Sequence, residues 1–378
     1  MAKSDAYRVV PVTSRAELKR FIKLPYSLYA DDPLWVAPLL MEEKKQYSPA
    51  TNSMLKHCDV QLFLLYRGDE IAGRISAFID HLAVKHWKEP IGLFGSFECI
   101  DDKEAASHLL NAAHEFLKEK GMKIMRGPWS FASQEWGCMI KGFETSPMIL
   151  APYNPVYYQD LLESTGLKKA KDLLVYDMEI NDESSLPERF LKLTDRVQER
   201  YKVTLRPVDM KNLEEDVKTL LFIANEATMN NWGFAPVTEE EAKEIAESVK
   251  MILDPDIVMI AEVAGKPVGY LIAFPDINTI LKPLKGKLFP FGFVKLLREK
   301  KHITQYRIWG LGVLPEYQRK ALDTLFYRKL SEVLLSKDPM PTRLEANYVL
   351  EDNMVMNNPI MKMGFQVAKK YRVYEKPI

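Results

Sequence analysis

This chain repeats itself once, and that constrains its fold more than any other feature. Arg8-Val9-Val10-Pro11-Val12 returns as Thr204-Leu205-Arg206-Pro207-Val208, 196 residues later. Ala37-Pro38 returns as Ala235-Pro236 at a distance of 198. The stretch DVQLFLLYRGDEIAGRISAFID from Asp59 matches DIVMIAEVAGKPVGYLIAFPD from Asp256, and both close on Ala-Phe-x-Asp. Later, GLKKAKDLLVYD from Gly166 lies over GFQVAKKYRVYE from Gly364, with five identities. Chance supplies one such match; four in the same order at nearly constant offset identify a duplicated module.

A chain of 378 residues is too long for one ordinary core. The repeat predicts a domain over 1–182, a linker helix over 183–202 and a second domain over 203–378. Asn181-Asp182-Glu183-Ser184-Ser185 is a polar linker, and Pro187 suits the first position of a helix. Phe190, Leu191, Leu193 and Val197 then follow the helical period. Each half reads as a short strand, a helical region and a hairpin around Gly68 or Gly265. A strand (Ile91–Phe97; Tyr306–Val313) and a long helix (Asp102–Lys120; Gln318–Ser336) follow. Then come a strand (Met122–Met125; Arg343–Ala346), another helix and a closing strand ending at Tyr176 or Tyr374. The expected fold class is α/β (α+β), with each half a mixed, largely antiparallel sheet flanked by helices. Phe94-Gly95 aligns with Trp309-Gly310, which leaves about 18 extra residues between Asp276 and Trp309.

Composition narrows the function. Lys+Arg and Asp+Glu both number 52, so the chain lacks the basic excess of a general nucleic-acid binder. Cys58, Cys99 and Cys138 are too scattered for a disulfide framework and predict a reducing, cytoplasmic setting. The start, MAKSDAYRVVPV, lacks the apolar run of a signal peptide, and no run of roughly 18 apolar residues predicts a membrane span. The six histidines show no metal-ligand spacing, so no metal is expected. No GxSxG or Walker loop occurs.

The most informative segment is Arg307-Ile-Trp-Gly-Leu-Gly-Val-Leu-Pro-Glu-Tyr-Gln-Arg-Lys-Ala-Leu-Asp. A strand broken by Pro315 leads into a helix opening at Gln318, and a helix start can receive an anion on its unpaired amides. This segment resembles the GNAT acetyltransferase superfamily, whose signature here is Q/R-x-x-G-x-G/A. Gln318 fits; Ala321 and Asp323 stand where small residues are expected. Asn353 precedes Gly364-Phe365 at the spacing of the family's N…GF segment. The resemblance covers residues 203–378 and, through the repeat, residues 7–180.

The resemblance implies an acyl-CoA-dependent N-acyltransferase, using acetyl-CoA or another acyl-CoA and a small-molecule amine. It implies a diphosphate on Gln318, Arg319, Lys320, Ala321 and Asp323, a pantetheine arm along Leu311 and Val313, and a cofactor contact at Asn353. Asn353 is also a natural helix cap. The amine attacks the thioester directly, helped by a base and an acid. The family's usual acid position is Ile360 here, so Glu345 and Tyr348 are the candidate catalytic residues. A solvated strand carboxylate is the alternative reading of Glu345, and packing that of Tyr348. Trp232 and Phe234 are candidates to shape the acceptor site, or else close a hydrophobic seam. In the first half, Asp101 and Glu104 read as a helix cap already satisfied by carboxylates, so that half is expected to be degenerate.

Two other function classes stay open: a binding protein that keeps the architecture without the cofactor, and an aminoacyl-tRNA-dependent transferase, which zero net charge disfavours. The insertion over 281–302 carries seven Lys/Arg against Glu299, interleaved with aromatics. It predicts either anionic lipid contact or lysine stems lying over a domain seam.

Overall fold

A computed structural model describes residues 6–130, 136–181 and 186–378. The linker residues Asp182, Glu183, Ser184 and Ser185 lie outside these. The first half contributes strands β1 (Tyr7–Pro11), β2 (Cys58–Arg67), β3 (Glu70–Asp80), β4 (Ile91–Cys99), β5 (Ile124–Gly127), β6 (Cys138–Lys141) and β7 (Lys168–Glu179). The second contributes β8 (Val203–Pro207), β9 (Val258–Val263), β10 (Lys266–Pro275), β11 (Gln305–Val313), β12 (Arg343–Leu350) and β13 (Gln366–Pro377).

Two compact units form, and they do not follow the repeat to its last strand. Unit 1 holds residues 1–173, 285–287 and 369–378; unit 2 holds 174–284 and 288–368. In unit 1, β1 to β4 pair antiparallel in order, and β4 then pairs parallel with β5. Beyond β5 lies β13, antiparallel, with Tyr374 opposite Gly127. In unit 2, β8 to β11 pair antiparallel, β11 pairs parallel with β12, and β7 lies beyond β12. Each sheet is thus closed by the final strand of the other half's sequence.

Ion pairs hold these closing strands. Within unit 1, Arg372 on β13 donates to both carboxylate oxygens of Asp172 at 2.7 and 3.0 Å. The buried Lys369 ammonium donates to the carbonyls of Gly142 and Thr145 and to the Thr145 hydroxyl. Within unit 2, Arg343 on β12 donates to Asp177 at 2.8 Å. A buried ammonium met by several oxygens, as at Lys369, keeps its hydrogen bonds when it leaves water.

The long helices follow their sequence signals. The cap expected at Asp101 falls one residue later: Asp102 caps Lys103–Glu119 by accepting from the amides of Glu104 and Ala105, and Ala106, Leu109, Leu110, Ala113 and Leu117 bury one face against β3 and β4. Pro187 precedes helix Glu188–Tyr201, which packs on helix Asp323–Leu335. That second helix begins five residues later than Gln318. Arg319 and Ala321 both hold φ near +59°, a left-handed conformation that no α-helix can continue. Gln318 to Leu322 is therefore a turn.

Because residues 369–378 complete the sheet of unit 1, a chain ending at Ala368 will leave unit 1 unfolded although every residue of the first half is present. Limited proteolysis will show cleavage concentrated in residues 6–173. A protease-resistant first half in that truncation would refute the assignment.

Candidate active site

In unit 2 the central parallel ladder is short. It runs from Gln305 opposite Arg343 to Ile308 opposite Ala346. Past that point β12 continues to Leu350 and β11 to Val313, where β11 pairs with β10 alone. Trp309 is a bulge residue, lying between the pairs Ile308/Ala273 and Gly310/Ile272.

Strand alternation decides what faces this parting. Tyr306, Ile308, Leu344 and Ala346 belong to the core under helix Asp323–Leu335. Arg307, Glu345 and Asn347 therefore point to the opposite face. Arg307 is 0 % exposed and Glu345 1 %. The Arg307 Nε donates to Asn347 Oδ1 at 2.6 Å, lies 3.7 Å from Glu345 Oε1, and its guanidinium covers the Tyr348 ring at 5.6 Å. Both Glu345 carboxylate oxygens are buried without a hydrogen-bond donor. The solvated reading of Glu345 is thus wrong: β12 is an inner strand and covers it. Burial pushes its carboxyl up to about 7; Arg307 and Arg343 pull it down, while Asp276 and Asp177 push it further up. A carboxylate that exchanges its proton near neutrality can act as a general base.

The turn after β11 is built without glycine. Leu311 is half-buried and Val313 buried. The Gln318 side-chain amide donates to the carbonyls of Val313 at 3.0 Å and Ala227 at 3.4 Å, tying the turn to helix Leu213–Thr228. Arg319 is exposed, and the Lys320 ammonium sits over the rings of Tyr317 and Tyr201 at 4.7 and 5.6 Å. Ala321 adopts the left-handed shape that the signature glycine would supply, at a cost of roughly 1–2 kcal/mol. Asp323 is half-buried; burial raises its carboxyl, and the adjacent backbone amides pull it back down. Asn353 accepts from the Met356 amide at 3.3 Å and caps helix Met354–Lys362. Trp232 and Phe234 lie half-buried in the loop after helix Leu213–Thr228. That helix reaches the turn, since a Cβ on Gly312 would stand 3.0 Å from Ala227 Cβ.

The first copy fills the equivalent places differently. Ala77 lies opposite Phe94, and Ala273 opposite Ile308. Phe94 therefore matches Ile308, not Trp309; the sequence alignment slips by one because the bulge in β4 comes later, at Ser96-Phe97. In this register Glu345 corresponds to Arg126, which is ion-paired to Glu375 at 2.8 Å. The Arg74–Glu98 pair corresponds to Tyr270 and Gly312. Glu98 accepts from the Tyr29 hydroxyl and, at 2.9 Å, from that of Tyr158, with Arg74 at 3.5 Å. Tyr158 also receives the Cys99 amide at 2.8 Å, and Tyr157 donates to the Cys99 carbonyl at 2.9 Å. The end of β4 and the following helix start are closed by the copy's own tyrosines and by Asp102.

Sequence reasoning missed Arg307, Asn347, Tyr29, Tyr158, Glu98 and Arg74. For Arg307 a signal existed, a charge alternating with Tyr306 and Ile308 on an otherwise apolar strand. For Tyr29 there was none, since its partners lie 69 and 129 residues away. Among the described residues one group could hold a metal, His57, Cys58 and Asp80, whose ligand atoms lie within 4.8 Å. Asp80 Oδ1 already accepts from the amides of Leu82 and Ala83. No helix among the described residues is long and apolar enough to cross a membrane.

No protein-family model matches the chain. It is 36 % identical over 376 residues to the bacterial ceramide synthase of Caulobacter vibrioides, covering 98 % of this chain and 97 % of that one. It is 35 % identical over 372 residues to protein YghO of Escherichia coli, covering 97 % and 94 %. Among solved structures, a tandem GNAT protein from the clavulanic acid biosynthesis pathway superposes with a TM-score of 0.58 at 11 % identity, covering 98 % of both chains.

The raised Glu345 carboxyl makes a signed prediction. Its proton is held in the fold up to about 7 but lost near 4.5 in the unfolded chain. Its contribution is therefore fully present below pH 4.5 and lost as pH rises through 7, by roughly 3 kcal/mol. Urea denaturation of Glu345→Gln will show the variant gaining stability over wild type as pH rises from 5 to 8. A constant difference would contradict the burial argument.

Proposed function

Because the chain belongs to the GNAT superfamily, in the family that includes the bacterial ceramide synthase and YghO, we propose that it is an acyl-CoA-dependent N-acyltransferase acting on the amine of a long-chain amino alcohol. The acceptor class follows from the ceramide synthase's name, ceramide being an amide of such an amine. The observation that carries the reading is the buried, donor-free carboxylate of Glu345, one pair before β11 and β12 part.

In the proposed reaction the neutral amine attacks the thioester carbonyl, the C–N bond forms and the C–S bond breaks. Glu345 takes the amine proton, directly or through one water, and Tyr348 gives a proton to the leaving thiolate. Arg307 acts as a positioning residue: its charge favours the ionised form of Glu345, and its hydrogen bond to Asn347 fixes the guanidinium. Leu311 and Val313 would line the pantetheine arm. Arg319 and Lys320 would offset the diphosphate, with Gln318 and Ala321 shaping the turn. Trp232 and Phe234 would border the acceptor. Asn353 supports the site by starting its helix.

One observation favours the second reading, a binding protein without the cofactor: a half-buried carboxylate, Asp323, opens the helix at which a diphosphate would sit. The two separate in one experiment. Incubation with a long-chain acyl-CoA and a long-chain 2-amino alcohol will yield the amide, detected by mass spectrometry, and Glu345→Gln will lower kcat by about 100-fold or more. Asp323→Asn will tighten CoA binding by about three- to ten-fold in calorimetry, because it removes a like charge beside the diphosphate. No amide and no heat with either protein would leave the binding protein as the correct reading.

A further inference from the structure

Residues 288–302 of the insertion that distinguishes the second copy belong to unit 2 and have an inner and an outer face. Gly292 and Leu296 of helix Phe291–Glu299 are buried beneath it, as is Leu288 just before it. The outer face is apolar where a surface helix is ordinarily polar. Phe291 is 83 % exposed, Phe289 65 % and Val294 55 %, with Leu297 also exposed. Phe289 stacks on Phe293 with centroids 5.8 Å apart. At three-residue spacing Phe291, Val294 and Leu297 share one side of the helix. The same segment carries Lys295, Arg298, Lys300 and Lys301 against Glu299: Lys295 lies 3.9 Å from Glu299, Lys300 donates to the Met251 carbonyl, and Arg298 and Lys301 are exposed.

We infer that this face docks on an anionic lipid bilayer. Exposed aromatics ringed by cations bind an anionic interface through both buried apolar area and charge. A second copy of the chain is a poor occupant, since two basic faces repel. Lysine stems over a seam would leave the phenylalanines covered, whereas they stand free of the unit that carries them. The purpose of the docking rests on the acyltransferase reading, because a long-chain amine resides in a bilayer; the docking itself does not depend on it.

The test is flotation of the full chain with phosphatidylcholine vesicles, with or without about one-third phosphatidylglycerol. Wild type will float with the anionic vesicles and about ten-fold less with neutral ones or in about 0.5 M NaCl. Phe291→Ser with Val294→Ser, and separately Lys300→Glu with Lys301→Glu, will each cut flotation about ten-fold. Wild type failing to float, or both variants floating like wild type, overturns the inference. So does a wild-type dimer in light scattering that either variant dissolves without vesicle binding. Amide synthesis from detergent-dispersed amine separates the two claims. Flotation without synthesis would sustain the docking and sink the transferase, and synthesis without flotation would do the reverse.

Discussion

The structure depends on the brevity of the central parallel pairing in each copy. Four paired positions in unit 2 and three in unit 1 fix the two strands, and beyond them one strand continues without its neighbour. A strand edge left unpaired must be satisfied by something else. In the first copy the supply is internal, since Tyr157 and Tyr158 take the carbonyl and amide of Cys99. In the second copy the parting adjoins a buried arginine and a carboxylate without donors. Duplication thus produced one copy that satisfies its own gap and one that keeps a costly, reactive group beside it.

That asymmetry explains which parts were legible in the sequence. The repeat and the succession of strands and helices along each half rest on short-range pattern and could be read directly, whereas the exchange of closing strands could not. The slip of one residue between Phe94 and its counterpart came from bulges placed differently in β4 and β11, and bulges leave no mark in an alignment without glycine to signal them. Glu345 was recognisable as a candidate, but its burial depends on β12 being an inner strand and on alternation against Leu344 and Ala346. The cluster of Tyr29, Arg74, Glu98 and Tyr158 was illegible because its members meet only through the sheet.

The turn after β11 shows how a signature can be lost while its shape persists. Ala321 holds the left-handed backbone of the missing glycine, and a half-buried carboxylate, Asp323, opens the helix that follows. A fold recognised by its glycines would be missed here, and one recognised by its backbone would be found.

The exchange of closing strands ties the two copies together in time as well as in space. During synthesis the first copy cannot finish its sheet when residue 173 emerges, because its last strand is still about 200 residues from being made. The residues of unit 2, 174–284 and 288–368, are by contrast all made before that last strand emerges. The first module therefore completes only after the second has been made, which reverses the ordinary vectorial order of multidomain folding.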